Sequence, residues 1–330
     1  VIRESNDIMM AVERSFSGRP MLPPPGAEGG EAVRPLLQLE RQLFSCWFRW
    51  LTSGAIGDGA QRVQFASLMG QVDDALGGRP GPFFLGSELS LVDCMFAPFL
   101  ERMAASVLYY KGLPVRTNGD WPHVRAWFEA MEARPSFRHI RSDFYTHVND
   151  LPPQIGRCQS TPEAAKHQPL IDGSAGAWRL PLPAVGEAGA LEPIDCLGQD
   201  DGAARREAAE RLLANWQAVA RFSARGLSKP GFPPASAPLS DPNAVVDEAY
   251  LPQVDAALRH VVDSLLEGPL PPTALSDGLA PEAITPSLGY LRDRISVPRD
   301  MGYPAARQLR AHLNDVIAAV AVKGARAAAK

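Results

Sequence analysis

The chain has 330 residues, is 45% hydrophobic and carries a net charge of −4 at pH 7. That length suits about two domains, and that charge gives no global field to attract nucleic acid or an anionic membrane. No apolar run reaches the roughly 18–20 residues of a membrane span.

The four cysteines, Cys46, Cys94, Cys158 and Cys196, are widely spaced with no C-x-x-C pair. They suit a reducing compartment better than a disulfide framework. The histidines show no zinc-ligand spacing, so no metal site is expected. Val1-Ile2 reads as a scrap of strand. A helix then starts at Glu4-Ser5, with Ser5 as its cap and Ile8, Met9, Val12 and Phe16 as its apolar stripe. Residues 19–34 hold Pro20, Pro23, Pro24, Pro25 and several glycines, and read as a linker. Residues 31–53 read as a helix with Leu36, Leu39, Leu43, Trp47 and Trp50 on one stripe, widened by Phe44, Cys46, Phe48 and Leu51. Residues 60–77 read as its neighbour, ended by Gly77-Gly78.

Ser90-Leu91-Val92-Asp93 has the spacing of a capping box, with Asp in place of the usual Glu. Leu89 and Cys94 are placed to act as a hydrophobic staple, and Asp93 sits at the positive end of the helix dipole. The helix beyond it, Cys94 to Val107, is apolar on nearly every face, so it should be buried all round. Orphan N–H groups at such a helix start would each cost about 1–3 kcal/mol, which makes a side-chain cap necessary. Pro98 should kink this helix.

Asp120-Trp121-Pro122 reads as the next helix start, with Asp120 the cap and Val124, Trp127, Phe128 and Met131 following. Residues 143–156 read as a connector in which Pro152-Pro153 stops any helix. His147, between Tyr145 and Asp150, reads as a docked linker histidine rather than an acid–base group. Residues 159–198 read as a loosely ordered linker, rich in Pro, Gly and Ala. Three helical patterns follow: 200–225, capped by Gly226, then 244–266, then 304–322, with a Pro-rich loop at 229–242. Before the last helix, Arg292, Asp293, Arg294, Arg299 and Asp300 lie among Ile295, Val297 and Met301. The favoured reading is structural: the arginines pair with Asp293 and Asp300 and fix the start of the last helix. The alternative is an anion pocket of three arginines.

Several of these motifs occur together in one family. Phe84-Leu85-Gly86, Leu89 through Asp93, Pro98 and Leu100-Glu101-Arg102 resemble the central helix of the glutathione transferase C-terminal domain. Trp121-Pro122, Trp127-Phe128, Met131 and Arg134-Pro135-Ser136 resemble its late helices, so the likeness covers about residues 1–140. Val297-Pro298-Arg299-Asp300-Met301 is similar to a run in plant and algal transferase-like proteins with a C-terminal extension. The fold implied is all-α: a glutathione-transferase-like C-terminal helical bundle at 35–150, a linker at 151–199, and a second, smaller helical domain at 200–330. Residues 1–18 would be a remnant of the thioredoxin-like α/β domain.

The resemblance implies that Glu4 and Ser5 hold the γ-glutamyl end of glutathione. A helix N-terminus suits a carboxylate, and the Glu can pair with the ligand ammonium. It implies that the helix at 31–53 walls the acceptor site, with Cys46, Trp47 and Trp50 as candidate lining. Aromatic core packing is the favoured reading for any one of these three. The family's catalytic Ser, Tyr or Cys and its cis-proline have no counterpart here, so the catalytic residue is unknown and the chain is expected to be incomplete for catalysis. The opening at Val1 suggests a truncated upstream region and leaves targeting unread; cytoplasm or plastid stroma is the expected location. The activity implied is attack of a glutathione thiolate on an electrophilic or disulfide substrate. The alternative is a non-catalytic interaction module. A homodimer is expected, weakened by the reduced first domain, with no nucleic-acid or membrane partner.

Overall fold

The computed structural model describes residues 3–16, 18–24, 26–27, 29–176, 178–183, 200–227 and 245–328. The expected strand at 1–2, the Pro-rich loop at 229–242, Cys196 and most of the linker after 183 lie outside the described residues. Among those described there is no strand, only an isolated bridge between Phe83 and Gly86. The chain divides into two compact units: Val1–His139 with Arg157–Ala165, and Ile140–Gly156 with Lys166–Lys330.

The first unit holds α1 (Ser5–Ser15), α2 (Gly30–Thr52), α3 (Asp58–Gly77), α4 (Leu91–Lys111), α5 (Pro122–Glu132) and the short α6 (Pro135–Arg138). α4 is its axis. Met95, Phe96, Leu100, Met103 and Val107 are all buried, as an apolar helix without a polar face requires. α2 packs against α3 and α4, and α5 against α3. Pro98 lies inside α4, which runs unbroken to Lys111. The helix ends at Gly112, in the left-handed region at φ 64°. A Cβ there would lie 2.4 Å from the Glu163 backbone, so only glycine lets the returning segment cross. That segment is tied down by Gln159 N–H to Leu51 O (2.8 Å) and Thr161 N–H to Tyr110 O (2.9 Å).

Two helix starts differ from expectation. Ser5 does not cap α1: it is the first helical residue, Glu4 holds the cap position at φ 69°, and no side chain caps it. No residue of α1 is buried. Asp120 does not cap α5 either. Trp121 holds that position, and buried Asp73 of α3 accepts from Val124 N–H at 2.9 Å. The acceptor comes from the neighbouring helix, which satisfies the same orphan donor.

The second unit holds α7 (Phe144–Ile155), the short α8 (Gln168–Asp172), α9 (Asp201–Ala214), α10 (Trp216–Ala224), α11 (Leu251–Glu267), α12 (Pro281–Arg292) and α13 (Tyr303–Ala328). It is the longer of the two, where the sequence suggested a smaller second domain. α13 packs against α9, α11 and α12 around Val254, Val261, Leu288, Leu309 and Leu313. The 200–225 pattern is two helices, broken at Asn215. Gly226 is not a simple cap: a Cβ there would lie 2.3 Å from Pro286 O on α12.

Residues 143–156 form a helix, α7, not a connector, with Pro152 and Pro153 inside it. The prolines remove ladder bonds only near its far end, while its start is anchored by the buried Arg310. That guanidinium bonds Asp143, Thr146 Oγ1 (3.1 Å) and Ile295 O (3.1 Å), and lies 4.3 Å from the Tyr145 ring centroid. The charged run before α13 is structural. Arg292 pairs with Asp293 (2.8 Å) and Asn314 (2.7 Å), and Arg299 with Asp300 (2.8 Å). Arg294 lies over the Tyr290 ring, and with Arg299 it sits near the Asp150 carboxylate.

Candidate functional site

The start of α4 is organised on one carboxylate. Asp93 is fully buried. Its Oδ2 accepts from Ser90 N–H (2.8 Å) and Ser90 Oγ–H (2.6 Å). Its Oδ1 accepts from Phe84 N–H (3.1 Å) and the Trp127 indole N–H (2.9 Å). Ser90 and Asp93 complete the capping box, and Leu91 N–H donates to Met21 O (3.0 Å). Each of these donors at the buried helix start therefore has an acceptor, which avoids the cost of an orphan. Phe84, held by Asp93, stacks on Phe96 at 4.2 Å between centroids.

The linker is fixed by the same region. Glu13 of α1 accepts from Met21 and Leu22 N–H (2.8 and 2.9 Å), which ties this segment to α1, and Leu22 and Pro23 lie opposite α2. Between them runs an open groove of about 920 Å³. Leu22, Pro23, Val33 and Leu37 supply apolar surface, and Arg34, Gln38 and Arg41 supply polar groups. Arg41 is paired through Nε and Nη2 with Glu40 (2.5 and 2.8 Å) and lies over Phe44 and Phe99. Burial pushes the Glu40 carboxyl up, against the pull of Arg41. These groove residues escape a reading of the apolar stripe because they occupy the opposite face of α2.

Cys46, Trp47 and Trp50 do not line the groove. All three are buried in the core, at 0–2% exposure. The Trp47 indole donates to Ser106 Oγ (3.0 Å), and the Trp50 indole to Asp58 (2.8 Å). Lys111, also buried, donates to the same Asp58 carboxylate at 3.0 Å. Glu4 and Ser5 are exposed at the start of α1, with no cap hydrogen bond from either side chain.

Residues 31–130 match the family model of the glutathione S-transferase C-terminal domain. Over that stretch the chain is similar to the glutathione S-transferase superfamily. Over 150 residues it is 31% identical to glutathione S-transferase L1 of Arabidopsis thaliana, a stretch covering 44% of this chain and 58% of that protein. Over 144 residues it is 31% identical to glutathione S-transferase L2, chloroplastic, of the same plant, covering 43% and 46%. The chain thus spans about half the length of the curated relatives it matches. No solved structure matches it.

The matched stretch includes the Asp93 hub, the groove face of α2, and Trp127; Glu4 and Ser5 precede it. The described thiols are not poised as nucleophiles. Burial pushes Cys46 and Cys94 up, and pushes Cys158 up to about 12 despite nearby Lys111, so all three stay protonated at neutral pH. Among the described residues no cluster of three or more His, Cys, Asp or Glu is placed to hold a metal ion, and no helix is long and apolar enough to cross a membrane.

Proposed function

We propose that this chain is the helical part of a glutathione-dependent transferase, in which a glutathione thiolate attacks an electrophilic or disulfide substrate. The supporting observation is the groove on the exposed face of α2, inside the family-matched stretch, where apolar side chains lie between Arg34, Gln38 and Arg41. Such a surface takes an acceptor with an apolar body and a polar tip. The protein's work there is to bind the γ-glutamyl end of glutathione and to orient the acceptor, which turns an encounter into a near-unimolecular step. Glu4 is the partner for the ligand ammonium. The Ser5 hydroxyl and the free N–H groups at the start of α1 receive its carboxylate. A plastid or cytoplasmic location and a homodimer belong to the same reading. Titration of the isotope-labelled chain with glutathione tests it. Shifts should concentrate at residues 4–8, and E4Q and S5A should each weaken binding by about threefold to tenfold. Saturable binding elsewhere would contradict the assignment of these two residues. No binding in the millimolar range would favour a non-catalytic module.

A further inference from the structure

The second unit has a cavity of its own, of about 520 Å³, between the end of α9, α10 and α11. Buried Leu212 and Leu258 form its floor, with Val219 and Val262 beside them. Trp216 and Leu213 stand at its mouth, 44% and 53% exposed. Apolar groups left in water beside a cavity of this size mark a binding surface.

The charge at this cavity is unbalanced. Arg259 is committed: its Nε donates to Asp255 at 2.9 Å, and its guanidinium lies 5.5 Å from the Trp216 ring centroid. Asp263 lies two turns beyond Asp255 on α11 and is exposed, with no ion pair among the described residues. His260, near Asp263, leaves that carboxylate unneutralised. Its Nε2 accepts from Ser276 N–H at 2.9 Å, and burial lowers its pKa, so it is neutral at pH 7. Two carboxylates and one guanidinium therefore lie along α11 beside an apolar floor, with an indole at the rim.

We propose that this cavity binds a compact apolar cation, an aromatic or branched aliphatic amine. Its body rests on Leu212, Leu258 and Trp216, and its ammonium faces Asp263. This site is separate from the groove on α2 and does not depend on glutathione.

The test uses the full chain and two probes of one shape, 2-(2-naphthyl)ethylamine and 2-naphthylacetate. Binding is followed by calorimetry and by the Trp216 indole N–H resonance, assigned with W216F. The amine should move that resonance saturably and bind about threefold tighter than the carboxylate, the scale expected of a solvent-exposed ion pair. D263N should erase the preference and keep the binding. W216A should weaken the amine about tenfold without changing the far-ultraviolet circular dichroism. Equal or tighter binding of the carboxylate, saturation without movement of Trp216, or a preference that survives D263N would each overturn the proposal. So would an absence of saturable binding of the amine up to about 5 mM.

Discussion

Asp93 is a carboxylate that water does not reach, and its two oxygens accept from four donors. D93A strands the N–H groups of Phe84 and Ser90 and the Trp127 indole. It should cost about 3–5 kcal/mol, the range for breaking a buried charged network by one partner. Urea denaturation followed by tryptophan fluorescence measures this, and a loss below about 1 kcal/mol would contradict the hub. S90A removes one capping oxygen and should cost about 1 kcal/mol. The Ser90 and Asp93 spacing is legible in the sequence because both ends of a capping box lie within one turn. Phe84 and Trp127 are not legible as partners, because they lie nine and 34 residues from Asp93. In the second unit, the His312 imidazole is buried, bonds Ser264 Oγ through Nδ1 at 2.7 Å, and is pushed down to about 4, by burial first and Arg205 second. The folded value lies below the ~6.5 of the unfolded chain. The neutral ring thus contributes stability fully above about pH 6.5 and loses it as pH falls toward 4, about 3 kcal/mol in all. Thermal unfolding at several pH values should show this slope in the parent chain and a flatter one in H312Q; equal slopes would contradict it.

At the scale of elements, periodicity locates most helices but not the role of each face. α2 is legible as an amphipathic helix, and its stripe does form core. The groove lies on the other face, where sequence offers only Arg34, Gln38, Arg41 and Gln42 scattered around Val33 and Leu37. α7 and α12 are concealed by Pro152, Pro153 and Pro286, residues that local reasoning treats as helix breakers. For α7 the missing information is non-local: Arg310 and Asp143 are 167 residues apart. Their ion pair is inside the protein, so R310A leaves Asp143 buried without its cation and should cost about 3–5 kcal/mol in chemical denaturation. The double variant R310M/D143N should recover part of that loss, since a charge is no longer stranded. A double variant as weak as the sum of two singles would contradict the pair's coupling.

At the scale of the molecule, two helical units share one chain. The first carries the family domain, and Arg157–Ala165 returns to it across Gly112 after the chain has entered the second. That return is invisible in sequence, because Arg157–Ala165 is short and has no apolar period to read. The family is legible because its motifs cluster where burial is strictest, around α4. The central claim is that this domain is built on a helix whose start is closed to water and satisfied by Asp93. Amide hydrogen exchange tests it most directly. Phe84, Ser90 and Leu91 should exchange as slowly as Met103 at the centre of α4, and D93A should release Phe84 and Ser90. Exchange of these amides at the rate of exposed Gly54, with Met103 still protected, would contradict the account.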